Sequence, residues 1–457
     1  MESPLSDRLA GLLGGNVVLP VSDIEIDDIV PQAVIRPTDR LQISELLLWA
    51  ASEHISVMPR GGGTRLNLGN LPKSADVVLD LSAINQLVDY QPADMTATVE
   101  AGMTLSSFQE RLAPGREFVP LESAEADRST IGGILSVGAS GPLSYTYGLP
   151  REWLIGISVI GTDGVATKSG GKVVKNVTGY DLNKLYTGSL GTLGIIVEAT
   201  FKLLPINPHN GILLASFSEL SSSVVASRTL LHSPAAPIGC LNITYQISRR
   251  LQDSNLAGSH HLGLLDEGTA LFLAFYSGRP QATRRRLDEA EKTLLAKGAT
   301  AVQRIEGPIA RDTLRWITDI PTQICNDAAL VMKASVQSKL AAKASAEFST
   351  VTLFGEYPDQ IADSGFGSIR LFWPKFGDLQ STHSMEPQPI IDTIQQVRQI
   401  VQHYDGSAVV EHCPVRVKSQ IDIWGDYPDS LAIMPVSYTH LRAHETDSYL
   451  VCRLLLE

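Results

Sequence analysis

A glycine-rich segment near residue 60 has the composition of an anion-binding loop. It reads PRGGGT over residues 59–64, with three successive glycines. Glycine has no Cβ and visits positive φ readily, so consecutive amide groups can face one ligand. Such a row of donors suits a phosphate or a pyrophosphate, and Arg60 and Thr64 would add a positive charge and a hydroxyl. The alternative interpretation is an ordinary glycine-rich turn.

A second segment, STIGG over residues 129–133, places two hydroxyl residues before a pair of glycines. This order is typical of a helix N-terminus, whose free amides attract phosphate. Further along, Gly188, Gly191 and Gly194 recur every third residue. Their spacing matches neither a Rossmann fingerprint nor a Walker A loop. Each segment alone is weak support for a nucleotide site, and their order along the chain adds to it.

Short strands and helices must position these loops. Apolar residues at helical spacing predict a helix over residues 38–52, with Thr38 as its N-cap, and residues 55–59 read as a strand entering the first loop. The irregular mixture of elements predicts an α+β fold rather than a doubly wound sheet. Other predicted strands of this part cover residues 76–81, 96–100, 153–161 and 194–204, with a helix over 104–112.

A domain junction is predicted where Pro205 and Pro208 lie among asparagines. It gives a first domain over residues 1–205 and a second α+β domain over 206–435. Within the second domain we predict helices over 282–296 and 390–404, and strands over 270–276, 367–373 and 408–412.

The composition excludes several classes of protein. The 457 residues include 37 basic and 49 acidic side chains, a net charge of −12, which argues against a nucleic-acid binder. No run of about 18 apolar residues predicts a membrane span, and the N-terminus does not read as a secretory signal. We therefore expect a cytoplasmic protein that reaches the inner membrane only through partners. The cysteines are far apart, so neither a zinc site nor an iron–sulfur cluster is predicted; they are Cys240, Cys325, Cys413 and Cys452.

The last 22 residues, 436–457, read VSYTHLRAHETDSYLVCRLLLE. They resemble the translation of a sequencing-library adapter, so we expect a non-native read-through tail and a natural chain that continues beyond Pro435. The alternative is a genuine C-terminal helix.

Taken together, PRGGGT, STIGG, YGLPRE (147–152) and GTLGIIVE (191–198) resemble the FAD-binding domain of the vanillyl-alcohol oxidase (PCMH) type. Within that superfamily the chain is most similar to the FAD-binding, E-type subunits of bacterial glycolate oxidases. The similarity covers residues 30–205 and extends to KSQIDIWGDYPDS at 418–430. It implies a two-part FAD-binding domain followed by a smaller α+β cap domain.

The resemblance also implies the residues that hold FAD. They are Pro59, Arg60, Gly61, Gly62, Gly63, Thr64, Ser129, Thr130, Gly132, Gly133, Gly138, Ser140, Arg151, Gly194, Ile195 and Ile196. Relatives with a covalently attached flavin carry a histidine or cysteine in or near these loops. This chain has glycines in the first loop, and Ala139 and Ser140 in the second. We therefore predict FAD that is bound non-covalently.

Oxidation of a 2-hydroxy acid needs a cation for the carboxylate and a base for the hydroxyl proton. Arginine binds both carboxylate oxygens, so Arg370 and Arg416 are candidates, and His412 is the candidate base. The alternative is that these arginines are surface or ion-paired residues and that His412 is a hydrogen-bonded residue at a strand end. No metal site is predicted.

Three functions stay open from the sequence. The first is an FAD-dependent oxidoreductase subunit of a glycolate oxidase complex, with a larger FAD-containing catalytic subunit and an iron–sulfur subunit as partners. The second is a self-contained D-2-hydroxy-acid dehydrogenase of the D-lactate type. The third is an assembly subunit that binds FAD without turnover of its own.

Overall fold

A computed structural model describes residues 4–21, 24–172, 181–253, 270–325, 327–375 and 386–425. The predicted read-through tail, 436–457, lies outside these ranges. The described chain forms two compact units: residues up to 140 with 148–206, and residues 141–147 with 207–425.

In chain order the strands are β1 (Val18–Leu19), β2 (Ala33–Ile35), β3 (Val57–Arg60), β4 (Val77–Asp80), β5 (Leu87–Gln91), β6 (Thr96–Glu100), β7 (Glu117–Phe118), β8 (Leu154–Ile160), β9 (Ala166–Gly170), β10 (Ile195–Lys202), β11 (Leu204–Pro205), β12 (His209–Phe217), β13 (Gly239–Ile243), β14 (Ala270–Gly278), β15 (Ala301–Glu306), β16 (Ala328–Ser335), β17 (Asp359–Asp363), β18 (Ser368–Pro374) and β19 (Ser407–His412). The α-helices are α1 (Pro4–Leu13), α2 (Arg40–Glu53), α3 (Leu105–Leu112), α4 (Ile131–Val137), α5 (Ser144–Tyr147), α6 (Pro150–Trp153), α7 (Leu182–Tyr186), α8 (Leu220–Leu231), α9 (Tyr245–Asp253), α10 (Pro280–Ala296), α11 (Pro308–Cys325), α12 (Ala341–Phe348), α13 (Pro387–Gln402) and α14 (Val415–Lys418).

The first unit is built on two principal sheets and the short β7–β11 ribbon. A mixed sheet has the order β1-β2-β4-β3, in which β2, β4 and β3 run parallel. An antiparallel sheet has the order β5-β6-β10-β8-β9. Strand β4 (VVLD) is buried along its whole length, as expected for a parallel strand covered on both faces.

Helix α2 begins at Arg40, and its N-cap lies one residue later than the predicted Thr38. The cap is Asp39, whose carboxylate accepts hydrogen bonds from the amides of Leu41 and Gln42. The Thr38 amide and hydroxyl instead donate to the Gln42 side chain. Because a carboxylate also interacts favourably with the positive end of the helix dipole, Asp39 is the stronger cap, and the prediction of Thr38 was wrong.

The second unit is a long antiparallel sheet with the order β15-β12-β14-β13-β17-β18-β16-β19. Successive residues of β12 point to opposite faces, so Leu213 and Leu214 lie in different apolar clusters. The face of Leu214 is covered by α11 through Trp316, and the face of Leu213 by α8 and α10 through residues such as Leu287. The prediction of an α+β fold is confirmed.

Residues 141–147 belong to the second unit although the chain returns to the first at residue 148. Leu143 packs against the apolar cluster beneath α11. A Cβ on Gly239 of β13 would lie 2.1 Å from the carbonyl oxygen of Pro142, so the two backbones are in direct contact. No sequence pattern indicated this excursion, which lies inside the predicted 1–205 domain. The second unit is also comparable in length with the first. Across the described ranges, no helix combines the length and apolarity needed to cross a membrane.

Candidate functional site

A cavity of about 190 Å³ in the first unit is lined by both predicted glycine segments and by the start of β10. The residues predicted to hold a cofactor that line it are Pro59, Arg60, Gly61, Gly62, Gly63, Thr64, Ser129, Thr130, Gly132, Gly133, Gly194, Ile195 and Ile196. Gly138, Ser140 and Arg151 are not among its lining residues. Gly138 ends α4 in the left-handed conformation, Ser140 is exposed and Arg151 lies in α6. Their roles in cofactor binding stay predictions.

The two glycine segments touch each other at the wall of this cavity. A Cβ on Gly61 would lie 2.0 Å from the Thr130 hydroxyl oxygen. A Cβ on Gly62 would lie 1.8 Å from the backbone carbonyl oxygen of Arg128. Since neither space can hold a side chain, the close approach of the segments requires glycine at both positions.

The first segment supplies the unused amides. No hydrogen bond formed within the described residues uses the amides of Gly61, Gly62 or Gly63. In the second segment, the Gly132 amide donates to the Ala101 carbonyl at 2.8 Å and the Gly133 amide to the Thr130 hydroxyl at 3.3 Å. We expected free amides at both segments. The amides of the second segment already have protein acceptors. This segment instead supports the first one through the close contacts at Gly61 and Gly62.

Arg60 brings a positive charge to the cavity and is held from one side. Its Nη1 lies 3.2 Å from Oδ2 of Asp80, which also accepts from Nη2 of Arg36 at 3.0 Å. The other Asp80 oxygen accepts from the Ser82 amide. The Nε of Arg60 is buried and has no hydrogen-bond partner among the described residues. A buried unpaired donor beside three open amides suits an anionic group such as a pyrophosphate, so the residues present fit a dinucleotide phosphate.

Several lining residues were not predicted. Gly191 belongs to the three-residue glycine repeat, which was the available signal. Arg65, which directly follows the first segment, is a further cation at the cavity. The others are apolar or small and carry no sequence signal; among them are Met58, Leu66, Leu68, Leu81, Ala101, Ile134 and Val137. They give the cavity apolar walls beside its polar loop, as in most cofactor sites. The lining residues include no histidine, cysteine or tyrosine to which a flavin could be attached.

Two of the predicted catalytic residues, Arg370 and His412, lie on strands β18 and β19 of the second unit, which flank β16 on either side. Nε of Arg370 on β18 lies 2.9 Å from the Glu411 carboxylate on β19. Glu411 raises the pKa of Arg370 above its ordinary value, so the guanidinium is charged at any working pH. The sequence did not single out Lys333, which is paired with Arg370 in the register of β16 and β18. Strand register, which the sequence does not show, brings these two cations together.

His412 is largely buried at the end of β19. Burial, together with the charges of Lys375 and Lys418, lowers its pKa from 6.5 to about 4. A hydrogen bond with the Ala328 backbone acts in the opposite direction. Its Nε2 has no hydrogen-bond partner among the described residues, so the Ala328 contact involves the other ring nitrogen. The imidazole is therefore neutral at pH 7 with a lone pair at Nε2.

Arg416 lies on the exposed side of the short helix α14, where it is solvent-accessible. Arg416 is therefore exposed to solvent, whereas Arg370 is half-buried. Among the residues that the structure describes, no group of three or more histidine, cysteine, aspartate or glutamate side chains could hold a metal ion.

Comparison with known proteins agrees with this geometry. Residues 31–170 match the family described as an FAD binding domain. Glycolate oxidase subunit GlcD of Bacillus subtilis (strain 168) is 32% identical over 208 residues, which cover 46% of this chain and 44% of that protein. D-2-hydroxyglutarate dehydrogenase of Xanthomonas citri pv. viticola is 35% identical over 208 residues, covering 45% of this chain and 44% of that protein. The chain therefore spans less than half the length of these curated relatives.

Among solved structures, p-cresol methylhydroxylase with bound substrate superimposes with a TM-score of 0.71. The match covers 98% of this chain and 96% of that one at 14% identity, so it concerns the fold alone. The prediction of an FAD cofactor is confirmed. The similarity to glycolate oxidase subunits is confirmed as well, although the relative compared is the GlcD subunit rather than an E-type one. Residues 31–170 therefore match an FAD binding domain, in a chain that shares its fold with p-cresol methylhydroxylase.

Proposed function

We propose that this chain is the FAD-binding, E-type subunit of a glycolate oxidase complex that oxidises glycolate to glyoxylate through non-covalent FAD. The observation that carries the proposal is the contact of the two glycine segments around the unpaired Nε of Arg60. The similarity of residues 31–170 to FAD binding domains, and of nearly half the chain to glycolate oxidase and D-2-hydroxyglutarate dehydrogenase, supports the substrate class.

The partners in this proposal are a larger FAD-containing subunit and an iron–sulfur subunit. The four cysteines are widely separated in the sequence, which does not suit a cluster bound by this chain alone. Electrons would therefore leave through another polypeptide. The complex would lie in the cytoplasm and reach the inner membrane through these partners.

When bound, FAD supplies the acceptor for the hydride removed from the substrate carbon. The roles proposed for this chain's own residues are binding and proton transfer. Arg370 and Lys333 provide positive charge for the substrate carboxylate, and Glu411 fixes the plane of the Arg370 guanidinium. His412 accepts the hydroxyl proton at Nε2, which its low pKa keeps unprotonated.

Purification of the full chain tests the cofactor first. We expect yellow protein whose flavin is released by acid precipitation and remains in the supernatant. Flavin that stays with the precipitate would contradict non-covalent binding. Colourless protein that takes up no added FAD would contradict the whole proposal.

The substrate is tested by adding glycolate, D-lactate or D-2-hydroxyglutarate to the yellow protein without oxygen. Bleaching by glycolate only when the partner subunits are present is the expected result. Bleaching of the isolated chain by D-lactate or D-2-hydroxyglutarate would favour a self-contained D-2-hydroxy-acid dehydrogenase, which the similarity to D-2-hydroxyglutarate dehydrogenase supports. No bleaching in any combination would favour an assembly subunit without turnover.

A matched pair of variants tests the carboxylate ligand. We expect Arg370→Gln to raise KM for the hydroxy acid at least tenfold, because a charge-assisted hydrogen bond contributes about 1.5–3 kcal/mol. Arg311→Gln removes an exposed arginine of the same unit that has no proposed role and is expected to leave KM unchanged. Equal effects of the two substitutions would show that Arg370 has no special role.

A further inference from the structure

A second cavity, of about 310 Å³, adjoins the cofactor cavity within the first unit and shares Gly62 and Thr130 with it. It lies at the start of α3, where Thr104 and Ser107 line it. Its polar lining residues are Ser82, Asn85, Thr104, Ser107, Arg111, Arg128 and Thr130. None of the functions discussed above uses this cavity.

The cavity is positively charged in a protein of net charge −12. Two arginines line it and none of its lining residues is acidic. Arg128 shares its charge with Glu125, 2.9 Å from Nη1, and its Nη2 makes only a long contact of 3.4 Å to the Gly62 carbonyl. Arg111 makes no ion pair or hydrogen bond with any residue that the structure describes. Arg111 therefore brings to the cavity a positive charge without an ion-pair partner among the described residues, and both arginines are accessible to solvent.

Hydroxyl groups supply further donors. The Thr104 and Thr130 hydroxyl oxygens accept from the amides of Ser107 and Gly133, which leaves each O–H free to donate. The first two amides of α3 are already bonded to backbone carbonyls, so the helix end does not supply the attraction. The arginines and the hydroxyl groups are therefore the groups that would attract an anion.

We propose that this second cavity binds the phosphate group of a small phosphorylated molecule. Two guanidinium groups can each present a fork of donors to the oxygens of a phosphate, and the hydroxyls can complete the set. A cavity of about 310 Å³ lies at the lower end of small-molecule sites, about 300–1,000 Å³, and has room for an organic body beyond the phosphate itself.

The site is coupled to the cofactor cavity through one residue. The Arg128 carbonyl oxygen fills the space beside the Gly62 Cα, and the Arg128 guanidinium reaches the Gly62 carbonyl. A ligand held by Arg128 therefore contacts the residue that supports the first glycine segment. If the ligand changes the affinity for FAD, FAD must change the affinity for the ligand by the same factor.

Isothermal titration of the FAD-loaded full chain tests the proposal, with glycerol 3-phosphate and inorganic phosphate as probes at low ionic strength. Loaded protein is used because the Gly61–Gly63 amides would otherwise offer phosphate a second site. We expect saturable binding of one glycerol 3-phosphate per chain, weaker binding of inorganic phosphate, and loss of affinity with added salt. Inorganic phosphate binding as tightly as the ester would show that the anion alone is recognised.

Three variants assign the binding to this cavity. Arg111→Gln is expected to weaken glycerol 3-phosphate at least tenfold, and Ser107→Ala several-fold, with the flavin content unchanged. Arg116→Gln, which removes an exposed arginine outside the cavity, should bind like the wild type. The absence of saturable binding, equal effects of Arg111→Gln and Arg116→Gln, or equally tight binding of malonate would each overturn the proposal.

Discussion

The carbonyl oxygen of Arg128 occupies the space that a side chain at residue 62 would need. The Gly62 Cα therefore defines how closely the two segments approach, and their approach defines the cavity wall. The same is true of Gly61 against the Thr130 hydroxyl, where the obstacle is a side chain that can rotate. Gly62 is the more demanding position because its neighbour is backbone.

We expect Gly62→Ala to weaken FAD binding by about 10- to 100-fold, since a steric overlap with backbone costs about 1–3 kcal/mol. The ratio of flavin to protein absorbance after purification, followed by titration with FAD, measures the effect. Gly11→Ala serves as control, because a Cβ at this exposed position of α1 meets nothing within 4 Å. It should bind FAD normally and be slightly more stable, as alanine favours a helix by about 1 kcal/mol over glycine.

His412 makes the stability of the fold depend on pH. Because burial lowers its pKa from 6.5 to about 4, the unfolded chain binds a proton at this residue between these values and the folded chain does not. The free energy of unfolding therefore falls as the pH drops through this window. The part of it that depends on a neutral His412 is fully lost below the folded pKa. Urea midpoints of wild type and His412→Asn, measured from about pH 7.5 to pH 4, should converge or cross as the pH falls. Parallel curves would show that His412 titrates as it does in the unfolded chain.

The residue types of the cofactor loop were readable from the sequence, and their hydrogen bonds were not. Three consecutive glycines after a strand identify an anion loop through their conformational freedom. The protein acceptors of the Gly132 and Gly133 amides come from Ala101 and from Thr130. Ala101 lies at the end of another strand, and nothing in its side chain marks it as part of the site.

At the scale of elements, the ends of β3 and β4 together support the loop that follows β3. The parallel register places Arg60 beside Asp80, and the Asp80 side chain is only 2% exposed. This carboxylate accepts hydrogen bonds from the guanidinium groups of Arg36 and Arg60 and from the Ser82 amide. It orients Arg60 toward the cavity although it does not line the cavity itself.

We expect Asp80→Asn to destabilise the fold by about 1–3 kcal/mol and to weaken FAD several-fold, because both arginines lose their counter-charge. Urea unfolding and flavin titration measure the two effects. Glu53→Gln removes a similar contact, to Arg8 at 2.7 Å, between two exposed side chains. This control should change stability by less than about 1 kcal/mol and leave FAD binding as it is. Unchanged flavin affinity in Asp80→Asn would mean that Arg60 does not contribute to cofactor binding.

Periodic apolar patterns predicted many elements of both units to within a few residues. Residues 96–100 form β6 as expected, and the helix predicted over 282–296 is α10. The pairing of strands was beyond reach, because register depends on contacts between residues far apart in sequence. Arg370 was singled out because arginine suits a carboxylate ligand. Its neighbour Lys333 and its partner Glu411 were missed because only strand pairing brings them close to it.

At the scale of the molecule, the first unit is discontinuous because residues 141–147 leave it and join the second. A fragment that ends at residue 206 would carry this segment without its packing surface, with Leu143 and Tyr145 uncovered. We expect the unmodified fragment to aggregate. Replacement of residues 141–147 by a glycine–serine linker of equal length should give a more soluble fragment that still binds FAD, as measured by size-exclusion chromatography with absorbance detection of flavin. Equal solubility of the two fragments would contradict this interpretation.

The same excursion affects how the chain matures on the ribosome. Helix α5 contacts β13, whose residues leave the exit tunnel about a hundred positions later. Residues 141–147 therefore have no packing surface until β13 has been synthesised, although the residues on both sides can already pack within the first unit. The rate of synthesis across the intervening codons thus sets how long this connection between helices α4 and α6 stays accessible to chaperones.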